Sequence, residues 1–310
     1  MNWNVPHLNF LYNLQNKNMG KRSKLYAIAF LFAIFAFSAM IFVLSDLNKN
    51  GERAGNTVPA PKETAKPEEE SSKTEPLAEQ QDEETAKQEE NIDWSPIIEK
   101  WRGKEISSFK TDKNLAVLTF DGGANAQGVQ KILDILKKEN VTGTFFLTGE
   151  FIKKNPNETK MIIESGGDLG NHSFSHPHFP QLSTKEIKMQ LENTQTELEK
   201  LGGKFKPFFR FPYGERDART TAEINDNGYI NIRWTIDSLG WKGTSGGMTA
   251  DSVRERIISK IRPGAIIMMH LGSNPDDKTQ LDSEVLPKII SELKTQGYEF
   301  MTIGEMLTSA

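Results

Sequence analysis

Between residues 94 and 310, short apolar runs alternate with amphipathic stretches of helical period, and this alternation leaves few folds open. The runs Leu115–Phe120, Thr142–Thr148, Phe208–Phe211, Tyr229–Ile236, Ala265–His270 and Tyr298–Ile303 read as strands. Helices are expected over Gly128–Lys138, Thr184–Leu201, Asp217–Asn227, Asp251–Ile261 and Glu284–Gln296. Ser183 with Glu186 three residues on forms a capping box for the second helix, and Gly202-Gly203 follow its end. Strands alternating with helices of this length imply βαβ units and a mainly parallel α/β sheet. The expected fold is a distorted (β/α) barrel of about seven strands, with an open doubly wound sheet as the alternative. Either fold binds ligands where its strands end at their carboxyl edge.

The first 93 residues have a different character. Leu25–Leu44 is a run of twenty residues without a charge, and a helix of that length spans about 30 Å, the hydrocarbon thickness of a bilayer. Lys17, Lys21, Arg22 and Lys24 crowd its N-terminal side, whereas Ser45-Asp46 follow it. The positive-inside rule then places residues 1–24 in the cytoplasm and the rest of the chain outside, with residues 25–44 as a signal-anchor in the lipid bilayer. The alternative is a cleaved leader and a secreted domain. Residues 45–93 contain no aromatic residue but Glu, Lys, Pro, Thr and Gln in plenty. Such a segment buries too little apolar surface to offset its ordering entropy, so a disordered acidic linker is expected.

Charge divides along the same lines. Residues 1–50 carry a net +4, residues 51–93 a net −8, and residues 94–310 are neutral. A neutral main domain argues against nucleic acid as partner, since phosphate contacts need a basic face. The absence of cysteine excludes a thiol nucleophile, a Cys-ligated zinc site and a disulfide scaffold.

Chemistry-bearing residues gather at the expected strand ends. LAVLTF runs into Asp121-Gly122-Gly123, FFRF carries Arg210 into Pro212-Tyr213-Gly214, YINIRWTI ends at Asp237, and AIIMMH ends at His270. Three of the five histidines fall within residues 172–178. His172 and His176 are four apart, so a helical or turn-like segment faces both imidazoles the same way, as two ligands on one divalent metal require. Arg210, inside an apolar run, needs a buried carboxylate partner. The competing readings are a turn or cap role for Asp121 and a satisfied core histidine at 270.

The ordered set TFDGG (119–123), NHSFSH (171–176), RFPYG (210–214), DSLGW (237–241) and MMH (268–270) resembles the polysaccharide deacetylase family, the NodB-homology group or carbohydrate esterase family 4. The likeness covers roughly residues 112–308. It implies metal-dependent removal of acetyl groups from an acetylated polysaccharide, with peptidoglycan favoured by the expected location. By the same resemblance His172 and His176 hold the metal, Asp121 is the general base and Arg210 orients it. Tyr213 offers its backbone N–H to the oxyanion, His270 is the general acid, and Trp241 and Met268 line the acetyl pocket. Asp237 is the candidate for fixing His270. Ligand type suits zinc first, with cobalt, nickel or manganese as alternatives.

Two departures stand out. Where the family commonly has a second Asp as third metal ligand, this chain has Gly122, and where an acid frequently precedes the motif-four Trp it has Gly240. Asp121 itself, Asn274, Asp276 or water are the candidates to complete the metal site; otherwise the domain binds glycan without turnover.

Overall fold

The structure, a computed structural model, describes residues 92–309. The candidate anchor at 25–44, the cytoplasmic segment before it and all but the last two residues of the expected linker lie outside the described residues. Among the described residues no helix is long and apolar enough to cross a membrane.

Nine strands form one sheet: β1 (Glu105–Ile106), β2 (Leu115–Gly122), β3 (Thr144–Leu147), β4 (Asp168–Asn171), β5 (Phe208–Phe209), β6 (Ile230–Ile232), β7 (Ile236–Asp237), β8 (Ala265–His270) and β9 (Glu299–Phe300). The order is β1-β6-β5-β4-β3-β2-β8-β7, with β9 on the N-terminal end of β2, and every ladder between named strands is parallel. Ser108 and Ala265 form an isolated antiparallel bridge, and Phe109 donates its N–H to the Gly264 carbonyl at 2.8 Å. These contacts bring the β1 side round to β8, so the sheet curls into the distorted barrel expected from the sequence.

Strand periodicity of two decides what faces the inside of the curl. On β2, Ala116, Leu118 and Phe120 join the apolar layer under the helices, whereas Val117 packs inside with Phe146, Phe208 and Ile266. The next two inward positions are Thr119 and Asp121. β8 behaves alike: Ala265, Ile267 and Met269 go to the helix layer, Ile266 goes inside, and Met268 and His270 reach the cavity at the strand's end. Each buried Leu, Ile or Phe contributes about 1.5–3 kcal/mol, so a one-residue slip that turned these faces over is strongly opposed.

The outer layer comprises α1 (Ser95–Lys100), α2 (Val129–Glu139), α3 (Gly149–Lys154), α4 (Pro156–Glu164), α5 (Thr184–Glu199), α6 (Ala218–Asp226), α7 (Ala250–Ile258), α8 (Leu281–Thr295) and α9 (Ile303–Thr308). The capping box at Ser183 and Glu186 is present. α7 starts from Thr249, whose side chain accepts from the Ser252 N–H, rather than from Asp251.

Three expectations are corrected. The run Tyr229–Ile236 is two strands, because Arg233 donates its N–H to Ile106 while Thr235 donates to Ile266. The chain crosses there from the β1 side to the β8 side, and the crossing turns Trp234 into the cavity. Tyr298–Ile303 yields only β9 before Thr302 caps α9. The stretch Asp168–Asn171, absent from the expected strands, is β4; a Cβ at Gly170 would fall 2.5 Å from the Phe146 ring, so only glycine lets this strand close on its neighbour.

Candidate active site

Because the strands are parallel, their carboxyl ends converge. Asp121 is the register partner of His270 on one side and of Phe146 on the other, Leu147 pairs with Asn171, and Asp237 pairs with Met268. All nine residues singled out from the sequence are brought to this edge. Asp121, His172, His176, Tyr213, Asp237, Trp241, Met268 and His270 line one cavity of about 550 Å³, and Arg210 lies behind its wall.

Arg210 is fully buried, and its guanidinium donates to Asp121 Oδ1 at 2.6 Å, to Thr119 Oγ1 at 2.9 Å and to the Arg233 carbonyl at 3.1 Å. Its flat face lies 4.0 Å from the centre of the Phe146 ring. Burial alone would raise the Asp121 pKa; the Arg210 charge, helped by His270, outweighs it and holds the carboxyl below its ordinary value. An ionised carboxylate therefore stands at the floor of the cavity.

His172 Nδ1 lies 2.8 Å from the Arg210 carbonyl oxygen. That oxygen can only accept, so Nδ1 carries the proton and Nε2 keeps its lone pair. Nε2 lies 3.7 Å from Asp121 Oδ2, beyond hydrogen-bond range. His176 sits in a left-handed turn (φ 58°), not in a helix. Its N–H donates to Ser173 Oγ, Ser173 donates to Asn171 Oδ1, and Gln190 Oε1 on α5 accepts from Phe174 and Ser175. This strap brings the two imidazoles to 5.0 Å between ring centres, nearly perpendicular. Burial lowers the pKa of both despite the nearby Asp121, that of His176 to about 4, so both are neutral at pH 7.

Two neutral imidazoles, one with a fixed acceptor nitrogen, fit a divalent cation in donor chemistry and in the carbonyl support behind the ring. Among the described residues, however, no group of three or more His, Asp or Glu side chains is arranged to hold one. Of the candidates to complete the set, Asn274 is spent within its own loop, accepting from Asp276 and Asp277 and donating to the Trp241 carbonyl. Neither Asn274 nor Asp276 lines the cavity. A Cβ at Gly122 would meet Leu147 and Leu271 methyls at 2.9 and 3.1 Å, so position 122 faces the apolar layer and not the histidines. His178 stands outside the cavity, bonded to Glu215 at 2.7 Å and stacked on Tyr213.

On the opposite wall the expected partner of His270 is corrected. Asp237 uses Oδ1 to accept the Leu239 N–H at 2.8 Å, stabilising the left-handed turn there, and makes no hydrogen bond to His270. The carboxylate against His270 is Asp282 of α8. The sequence carries a trace of it: Asp282 begins the spacing Val285, Leu286, Ile289 and Leu293, an acid on the apolar face of an amphipathic helix. Burial works to lower the His270 pKa, but Asp282, Asp121 and Asp237 together hold it above the ordinary histidine value. Tyr213 and Trp241 are half-exposed at the rim, with Tyr213 in a left-handed conformation (φ 57°).

Residues 108–232 match the model of the polysaccharide deacetylase family. The chain is 35% identical over 219 residues to the peptidoglycan-N-acetylglucosamine deacetylase of Bacillus cereus, which spans 70% of this chain and 77% of that protein. The chain belongs to the polysaccharide deacetylase family. Another member of this family, the peptidoglycan-N-acetylmuramic acid deacetylase PdaA of Bacillus subtilis, is 32% identical over 212 residues, covering 68% of this chain and 77% of the relative. Among solved structures, a carbohydrate esterase family 4 pseudoenzyme from Bacillus anthracis, BA3943, superposes with a TM-score of 0.61 at 33% identity, covering 67% of this chain and 70% of the other. A mutant of that pseudoenzyme is described as having restored enzymatic activity.

Proposed function

We propose that this chain is a metal-dependent deacetylase of N-acetylated glycan, with peptidoglycan as its substrate. The observation that carries the reading is the ionised Asp121, held by Arg210 beside the free nitrogen of His172, with His270 across the same cavity. Asp121 takes the proton of the attacking water. Arg210 keeps that carboxylate ionised and fixed in the buried floor. Tyr213 offers its main-chain N–H to the carbonyl oxygen as charge develops there, and Trp241 with Met268 receives the acetyl methyl. His270, protonated, gives its proton to the departing nitrogen, so the bond to acetate breaks as an amine forms. His172 and His176 would hold a divalent cation, zinc first and cobalt, nickel or manganese otherwise; when bound it polarises the carbonyl and brings the pKa of water to about 7.

The family relatives that act on peptidoglycan support the substrate class. The apolar run at 25–44 and its basic flank support a membrane anchor, with residues 45–93 as a spacer and residues 94–310 as the catalytic domain outside the cell; a secreted form after cleavage is the alternative. A second reading, a glycan-binding module without turnover, is favoured by Gly122 and by the likeness to a pseudoenzyme. The two separate in one assay. The full chain, loaded with zinc and incubated with N-acetylglucosamine oligomers and peptidoglycan, releases acetate that chelator abolishes if the first reading holds. Glycan binding with no acetate under any divalent metal establishes the second.

A further inference from the structure

His270 needs a carboxylate behind it to act as proposed, and Asp237 is committed to Leu239. Asp282, in the first turn of α8 and 4% exposed, accepts the main-chain N–H of His270 at Oδ2, 2.9 Å away. The same oxygen lies 3.6 Å from His270 Nδ1. Nδ1 and Asp282 Oδ1 are both buried and without a hydrogen-bond partner. An unpartnered imidazole nitrogen therefore faces a carboxylate that still has an unpartnered oxygen, its nearer oxygen Oδ2 standing a few tenths of an ångström beyond hydrogen-bond range, and such bonds tighten when substrate closes a site. The place the carboxylate occupies is equally telling. A Cβ at Gly240 would lie 2.5 Å from Asp282 Cγ and 2.9 Å from Oδ2, and would press on Oδ1 as well.

We infer that Asp282 is the positioning residue of His270, and that Gly240 is the gap that admits it. One volume behind the imidazole accepts either a side chain from position 240 or the carboxylate from α8, not both. In this chain α8 fills it. The main-chain bond anchors Oδ2, the carboxylate accepts the Nδ1 proton, and Nε2 is left to the cavity as the nitrogen that carries the transferred proton. The consequence for rate rests on the deacetylase reading; the contact does not.

The test uses the full chain with 15N-labelled histidine, His270 being assigned by His270→Gln. In the wild type the His270 Nδ1 resonance is that of a protonated, hydrogen-bonded nitrogen. Asp282→Asn, with unchanged far-UV circular dichroism, shifts it toward a mixture of tautomers. Gly240→Asp alone lowers the unfolding temperature because two acids compete for one space, whereas Asp282→Ala with Gly240→Asp restores the wild-type resonance. With acetylated glycan, Asp282→Asn lowers kcat roughly 10²-fold with little change in KM, and the double variant recovers most of it. A His270 signal indifferent to Asp282→Asn in the folded chain overturns the inference, as does a double variant that folds without recovering the signal. If the wild type releases no acetate while the resonances respond as described, the deacetylase reading fails and the contact stands.

Discussion

The two walls of the cavity are built differently. On the wall of β2, β4 and β5, Arg210 is wholly buried and its donors go to Asp121, Thr119 and main-chain carbonyls, with Phe146 under its face. On the wall of β7, β8 and α8, the His270 and Asp282 side chains face each other with an unpartnered atom apiece, over a glycine. The first wall is closed and self-supporting before any ligand arrives. The second is assembled from an acid that reaches in from another element and is poised to tighten. In the proposed reaction the same pairing of a carboxylate with a cationic group would serve two ends: rigid orientation of a base, and support of a group that must gain and lose a proton.

The largest effect should separate the walls by stability. Arg210→Leu leaves the Asp121 charge buried and alone, a loss of about 3–5 kcal/mol measurable by urea denaturation. Asp282→Asn removes a charge from a place with a main-chain donor still beside it and should cost much less. Equal costs would break the comparison.

Next in size is the metal. His172→Gln or His176→Gln should weaken zinc binding by more than the roughly 10–100-fold seen when only a supporting residue is lost. Equilibrium dialysis against a competing chelator reads this directly, and unaltered zinc affinity in both variants would remove the histidines from the account.

The pH profile distinguishes the walls again. The carboxylates facing His270 are Asp282 from α8, Asp121 from β2 and Asp237 from β7; across the cavity are neutral His172 and His176, and Arg210 is tied to Asp121. With its pKa held above the ordinary value, His270 stays protonated through neutral pH, and kcat/KM declines as pH rises through that raised value. The stability that its charged form contributes follows the same sign: fully present below about pH 6.5, lost as pH rises through the raised pKa. Asp282→Asn should move the alkaline limb to lower pH, whereas no change of limb would detach Asp282 from the proton.

The smallest effect belongs to Gly122. Its Cβ direction meets the ends of Leu147 and Leu271, flexible side chains that can yield, so Gly122→Ala should cost about 1 kcal/mol in thermal unfolding. An unchanged midpoint would mean that the layer around Gly122 is looser than its contacts indicate.

What the sequence disclosed follows this division. Asp121 and Arg210 were legible because each sits at or beside the end of an apolar strand and parallel strands converge at their carboxyl ends, and His172 and His176 because they stand four apart in a cluster of histidines. The barrel class was legible from the alternation of periods. β4 was hidden because Asp168, Gly170 and Asn171 are turn-forming residues by composition, and only the Phe146 ring explains the glycine. The break at Arg233–Thr235 was hidden because hydrogen bonds to two different neighbours leave no mark on hydrophobicity. Asp282 was missed, and Asp237 taken in its place, because the contact joins residues twelve apart across a loop and a helix start. A misplaced polar residue on the apolar face of α8 was its only local sign.

The central claim is that Asp121, beside the free nitrogen of His172, removes a proton from the water that attacks an acetyl group. It is tested most directly by the time course of acetate release from peptidoglycan by the zinc-loaded wild-type chain and by Asp121→Asn, matched in circular dichroism and zinc content. The account predicts steady release by the wild type and a loss of roughly 10²–10⁴-fold in the variant. Equal rates, or a zinc-loaded wild type that binds peptidoglycan and liberates nothing, would contradict it.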